Sequence, residues 1–347
     1  TPGGNLGTVG GNANINAGGT INPGSPTSIV GTLTVGALLF DGGTYAANLD
    51  GDTWDQVNTP GTVNIKTFST PGVFLLNRTG TQTPGSIYTF INNISPPAIV
   101  APPLTNAVEG GLVNVSGGQN AYYSYLGGNG NDFILAVVGN ISFDGTNLDN
   151  VFLVERSGPN QITWLDGNVI DSRPAISVGV LTLNGMDGND ITRVDFTNGD
   201  AVPVGGVVFN GGSQTGAPND RLEILDGSPG DVTYNYTNAN DGNVVMSAYG
   251  TVSYTGLEPV LTDFDIAPTS TVFNLPAAAS VVTLGDDGTT GNTLLQLSSV
   301  PATFEITTFT APSGSLTINR GNAADTLTVA NLTDFVAAAN LTLGTAG

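Results

Sequence analysis

Histidine and cysteine are both missing from the 347 residues, and only seven side chains are basic. Without thiol or imidazole there can be no disulfide, no thiolate or imidazole metal site, no Cys or Ser–His nucleophile and no histidine general base. The seven cations (Lys66, Arg78, Arg156, Arg173, Arg193, Arg221 and Arg320) stand singly against 28 acids, giving a formal charge of −21. No patch of them neutralises several phosphates, and the net field repels polyanions, so nucleic acid and anionic membrane surfaces are poor partners. Apolar runs are short as well. No window approaches ~20 uninterrupted apolar residues, so no transmembrane segment is predicted. No charged-then-apolar leader follows Thr1, which suits a processed secreted chain or a fragment. The zero cysteine count fits a secreted, extracellular or cell-surface location.

What is present points one way. Hydrophobic residues make up 39% and the mean hydropathy is +0.11, enough to build a core. The acids are 23 Asp against 5 Glu, alongside 36 Asn and 49 Gly. Asp and Asn compete for the backbone through their own side chains and favour turns over helix interiors, so the chain is predicted to be nearly all β. Segments such as Ala13–Asn16, Gly31–Val35, Gly61–Ile65, Val73–Leu76 and Tyr88–Ile91 alternate apolar with small polar residues, the pattern of half-buried strands. Strands this short, punctuated by Gly, Asn and Pro, are what a parallel β-solenoid uses at its corners.

The Pro-rich stretch Ile94–Leu104 reads as a loop leaving the stack. The chain returns through Gly111–Val115 and Tyr122–Leu126, and a boundary is expected near 139. This gives a β-solenoid unit over 1–139 and a repeat-containing β-rich unit over 140–347. In the second unit strand, Gly/Asn/Asp turn and strand recur around Asn184–Asp190, Asn210–Asp220, Gly285–Asn292 and Asn319–Asp325. A right-handed parallel β-helix is therefore expected first, followed by a second β-solenoid or a β-sandwich-like part. One helix is expected, over Thr333–Asn340, capped by Thr333 or Asp334.

The stretch Tyr123–Leu135 resembles the closing motif of passenger-type β-solenoid units in autotransporter-like and large secreted bacterial surface proteins. Residues 140–347, through Leu183–Asp190, Asn210–Asp220, Asn238–Gly242 and Ser253–Pro259, are similar to tandem modules of giant extracellular proteins of planctomycete-type bacteria. The resemblance implies a secreted, non-catalytic, cell-surface or matrix role and names no ligand.

The sharpest local motif is Gly127–Leu135, which fits the RTX-like nonapeptide Gly-Gly-x-Gly-x-Asp-x-apolar-x and offers Asn131 and Asp132 to calcium. Calcium wants six to eight oxygens, and one copy supplies half a site. Degraded relatives place Asp187 and Asp190 in one turn, Asp220 in another and Asp325 in a third. Asp50 and Asp52, in the acidic run Asp50–Asp55, form a further calcium candidate, although the bidentate Glu of an EF-hand is missing; Asp286–Asp287 is a similar acidic turn. The competing reading makes all of these residues turn formers that accept left-handed geometry and cap strand ends.

The leading functional expectation is a non-catalytic structural element, a stalk, filament or surface-layer component, that self-associates through its ends; Thr1–Asn16 offers an uncharged, uncapped edge. The alternatives are a calcium-dependent adhesin binding surface polysaccharide, with Trp54 or the tyrosines as contacts, and a polysaccharidase working through a carboxylate pair.

Overall fold

The computed structural model describes residues 5–24, 30–65, 70–94, 99, 103–128, 130–213, 220–257, 261–264, 266–335 and 339–346. Among them are 33 strands and two 3-10 turns, Ser116–Gly118 and Ala175–Ser177, and no α-helix. The chain is all-β. Most of the Pro-rich stretch Ile94–Leu104 lies outside the described residues, as does 336–338 of the expected helix. Thr333 and Asp334 form a turn, and Asn340 opens the strand Asn340–Ala346. Asp334 caps the turn at Gly291 instead: its carboxylate accepts the N–H of Gly291 and of Asn292.

Two compact units emerge. The first takes Thr1–Asn140 with Pro159–Gln161 and Val169–Gly179, and the second takes Ile141–Gly158, Ile162–Asn168 and Val180–Gly347.

In the first unit successive short strands fall on three sheets. Asn5–Val9, Thr32–Val35, Gln56–Thr59 and Ile87–Asn93 line up in parallel on one, which continues antiparallel through Asp132–Val137, Asn120–Gly127 and Leu112–Asn114. Ala13–Asn16, Leu38–Asp41 and Val63–Asn64 form the second, and Thr20–Ile21, Thr44–Asp50 and Val73–Thr79 the third, all in parallel register. Glycine makes one of the corners possible. A Cβ at Gly61 would lie 2.2 Å from the Gly36 carbonyl oxygen, and one at Gly36 would lie 3.1 Å from that of Gly11, so a column of glycines lets backbone rest on backbone.

Period-2 alternation then sends one side chain in two to the interior, as Leu38 and Phe40 show. The core converges on Phe133, whose ring centroid lies 4.6 Å from Tyr125, 4.9 Å from Phe74, 5.7 Å from Tyr123 and 6.0 Å from Phe90. Buried phenols need partners. The Tyr45 hydroxyl donates to the Phe90 carbonyl at 2.7 Å, and that of Tyr125 donates to Ala107 while accepting the Leu104 N–H, both at 2.8 Å.

The second unit builds two longer sheets. One orders Gly139–Asp144, Val178–Asn184, Val207–Asn210, Gly250–Thr255, Gly242–Met246, Gly230–Tyr236, Pro268–Asn274, Ser315–Arg320 and Asn340–Ala346. The other, of ten strands, includes in order Val151–Ser157, Ile191–Asp195, Arg221–Leu225, Leu261–Phe264, Thr307–Thr310, Leu294–Ser299, Val281–Asp286 and Thr326–Val329, with Asn160–Leu165 and Asn168–Pro174 before them. Most neighbours are parallel and distant in sequence; the antiparallel exceptions include the pairings of Gly242–Met246 with both its neighbours and of Leu294–Ser299 with both of its own.

The four Gly/Asn/Asp turns divide accordingly. Asn184–Asp190, Asn210–Asp220 and Asn319–Asp325 carry the chain from one sheet to the other, whereas Gly285–Asn292 closes a hairpin. Part of Asn210–Asp220, residues 214–219, lies outside the described residues.

Candidate functional site

Four Asp residues share one structural habit. Asp55, Asp190, Asp220 and Asp325 each stand immediately before a strand of a parallel ladder, and the carboxylate accepts the backbone N–H of the residue preceding the neighbouring strand. Asp55, before Gln56–Thr59, accepts from Gly31 at 2.7 Å, 24 residues away. Asp190, before Ile191–Asp195, accepts from Asn150 at 2.8 Å across 40 residues, and the N–H of Asp190 itself donates to Asp220 at 2.6 Å across 30. Asp325, before Thr326–Val329, accepts from Ser280 at 2.7 Å across 45 residues. The N–H at the start of a strand has no ladder partner of its own, and a short carboxylate side chain is the acceptor that reaches it.

Asn150, Asp190 and Asp220 thus form a staircase, each step capping the one before. Small residues leave room for it. A Cβ at Gly185 would sit 2.3 Å from Asp190 Oδ2 and 2.5 Å from the Gly211 carbonyl, and one at Gly211 would sit 2.4 Å from Asp220 Oδ2. Asp190 is fully buried. Burial raises its carboxyl to about 7, against the hydrogen bond from Asn150 and with further lift from the charges of Asp220, Asp149 and Asp166.

Asn131 and Asp132 belong to the hairpin that turns Asn120–Gly127 into Asp132–Val137. The N–H groups of Gly130 and Asn131 close on the Gly127 carbonyl at 2.9 and 3.2 Å. Asn129 of this motif lies outside the described residues. Asp132 Oδ1 accepts the N–H of Asn93 at 2.8 Å, and burial raises the carboxyl to about 6. Asn131 is buried, 5% exposed.

Asp50 and Asp52 are exposed. Asp50 accepts the Thr79 hydroxyl at 2.8 Å. Asp52 accepts both the N–H and the hydroxyl of Thr83 and the phenol of Tyr88, which together hold its carboxyl below the usual range. Asp187 is also exposed and accepts the Ser213 hydroxyl at 2.7 Å. Among the described residues no three Asp or Glu side chains gather where a metal ion could sit. The sequence candidates are spread over several corners, and Asp50, Asp52, Asp132, Asp187, Asp190, Asp220 and Asp325 each accept an N–H or hydroxyl through at least one carboxylate oxygen. The calcium reading rests on the motif alone.

A second set of polar residues went unnoticed in the sequence. Asn210 donates its amide to Asn184 at 2.7 Å and accepts the Thr255 hydroxyl at 2.9 Å; Asn184 in turn donates to Asp144 at 2.6 Å. Elsewhere in the unit Asn319 donates to Asn274 at 2.8 Å, Asn274 to Asn235 at 2.6 Å and Asn235 to Asn243 at 2.8 Å. Asn184, Asn210, Asn235 and Asn274 each donate to one neighbour and accept from another, so the side-chain amide links strand to strand. The signal was an apolar residue followed by Asn at a strand end, as in Leu183–Asn184, Phe209–Asn210, Phe273–Asn274 and Ile318–Asn319.

Neither tryptophan stands as an open platform. Trp54 is half-buried, donates its indole N–H to the Thr89 carbonyl at 2.9 Å and meets Tyr88 edge-on at 5.3 Å; Trp164 donates to Glu155 at 2.8 Å.

No family model, no curated protein and no solved structure matches the chain.

Proposed function

We propose that the chain is a right-handed parallel β-solenoid acting as a non-catalytic structural element of a bacterial cell surface or extracellular matrix. The observation that carries this reading is the pair of repeating polar devices, the carboxylate staircase and the asparagine ladders. Both join neighbouring strands, in the parallel steps 24–45 residues apart in sequence. Such devices fix register and rigidity along a stack, which is what a stalk, filament or surface layer requires. The resemblance of Tyr123–Leu135 to the closing motif of passenger-type units supports the same reading, and with it secretion.

Self-association belongs to the proposal. Asn5–Val9 and Asn340–Ala346 stand at the edges of their sheets, and a sheet edge offers N–H and C=O groups to another strand. The net charge of −21 opposes packing of copies until salt shortens the ~8 Å screening length of physiological buffer.

Negative-stain imaging with light scattering tests both halves. Elongated particles that lengthen at high salt, and that revert to monomers when residues 1–16 are deleted, are the expected result. A compact sphere, or release of reducing ends from surface polysaccharides by the purified chain, overturns the structural reading; a monodisperse monomer at high salt overturns self-association.

A further inference from the structure

The hairpin of Val281–Asp286 and Leu294–Ser299 presents two unlike faces. Val282, Leu284, Leu295 and Leu297 are fully buried beneath it, while Thr283, paired with Ser298, and Gln296, paired with Gly285, point to the other side. Thr326–Val329 pairs alongside, and the chain after it rises as a wall through Asn331 and Thr333. The hairpin turn, from Asp286 onward, forms the opposite wall. Between them lies a groove of about 410 Å³, with glycine rather than a side chain at 285 in its lining.

The turn is held in place by its own carboxylates. Asp334 takes the N–H of Gly291 and Asn292, Asp287 takes the N–H of Thr289 and the amide of Asn292, and Asp286 Oδ1 takes the N–H of Gly288 at 2.7 Å. A wall fixed by these bonds does not have to be ordered when a ligand arrives. Asp286 Oδ2 is the exception to this satisfaction. It has no donor in the structure and almost no surface open to solvent, while the residue itself lines the groove.

The lining selects a ligand by exclusion and by fit. No Lys or Arg lines the groove, so phosphates, carboxylates and uronic acids find no counter-charge. No aromatic ring lines it and Ala330 is its one aliphatic side chain, so lipids and flat apolar molecules find no surface. Asp286 is the single carboxylate in the lining, too few for a divalent cation. What remains is a set of hydroxyls and amides, each both donor and acceptor, with one carboxylate acceptor, the complement of a molecule carrying several adjacent neutral hydroxyls. The volume falls within the ordinary range of small-ligand clefts, about 300–1,000 Å³.

We propose that this groove binds a neutral, hexose-sized unit of a glycan by direct hydrogen bonds, with Asp286, Gln296 and Asn331 as its principal contacts.

Titration of the full chain with methyl glucoside, methyl galactoside, methyl mannoside and glucuronate, followed by calorimetry or ligand-observed NMR, tests this. At least one neutral glycoside is expected to bind with a Kd of about 1 mM or tighter, and glucuronate at least about tenfold more weakly. Asp286→Asn keeps the acceptor for Gly288 and removes the charge; it and Gln296→Ala are each expected to weaken binding about tenfold, and Thr333→Ala, at an exposed position, about threefold. A chelator should change nothing. The proposal is overturned if no neutral glycoside binds at roughly 50 mM, well beyond weak-site affinity. Unchanged binding in all three variants, glucuronate equal to the neutral sugars, or loss of binding on chelation would overturn it as well. The structural reading proposed above, tested separately, does not depend on this outcome.

Discussion

The two units solve the same problem by different means. In the first, apolar contact converges: four rings meet Phe133, and the buried phenols around it are tied to backbone. In the second, a smaller ring cluster around Phe273, with Tyr234 at 4.7 Å, Phe309 at 4.8 Å and Tyr236 at 6.1 Å, stands beside a polar line in which Asn235, Asn274 and Asn319 repeat one step from strand to strand. A hub concentrates stability in one residue, whereas a line spreads it, so the same kind of substitution should cost unequal amounts in the two units.

The largest effect tests the hub. Phe133→Ala removes a fully buried ring in contact with four others and should cost about 4 kcal/mol. Chemical denaturation should show that loss in the first unit's transition; a cost below about 1 kcal/mol would mean that the ring cluster is not the centre it resembles.

Next comes Asp190. Its carboxyl ionises near 7 in the fold against an ordinary 3.8, so between those values the unfolded chain has given up a proton that the folded chain keeps. Stability from this group is therefore full below pH 3.8, falls as pH rises towards 7 and is flat above. Asp190→Asn retains the acceptor for Asn150 and abolishes the penalty, so at pH 8 the variant should be more stable than the wild type by on the order of 3 kcal/mol, and the part of the slope between pH 6 and 7 should vanish. A melting series from pH 4 to 8 decides it. An unchanged slope would show that Asp190 is ionised throughout.

Asn274→Ala, at the centre of an asparagine ladder, removes two amide hydrogen bonds and leaves Asn235 and Asn319 each short of one partner. About 2 kcal/mol is expected, with the loss confined to the second unit. The smallest effect is Asp132→Asn, whose carboxyl ionises near 6 and is only half-buried. Its gain over wild type at pH 8 should be about 1 kcal/mol, and the pH slope it removes lies between 3.8 and 6, a full unit short of the window for Asp190. Coincident windows would erase this distinction between the units.

Strand positions were legible because period-2 alternation is local. Val73–Leu76 and Tyr122–Leu126 fall inside the strands Val73–Thr79 and Asn120–Gly127. The meaning of the turns was less so. Asn184–Asp190 and Gly285–Asn292 are both rich in Gly, Asn and Asp, yet one is a passage between sheets and the other a hairpin, since the outcome depends on which strands the flanking residues join. The carboxylates were recognisable as turn formers, but the N–H groups through which they reach a neighbouring strand lie 24–45 residues away and leave no trace in a local window. The asparagine ladders were hidden for the same reason, although the recurrence of apolar-Asn pairs at strand ends marks them once the register is known.

That spread of 24 to 45 residues between linked rungs has a consequence for how such a chain changes over time. Closing a loop of n residues costs entropy that grows only as (3/2)RT ln n, so the longest span here is disfavoured over the shortest by about 0.6 kcal/mol. A corner that gains a dozen residues keeps its Asp and its Asn in place at little thermodynamic disadvantage. Selection can then lengthen, trim or decorate corners while the ladders hold register, and the sequence drifts out of any fixed period even as the rungs stay aligned.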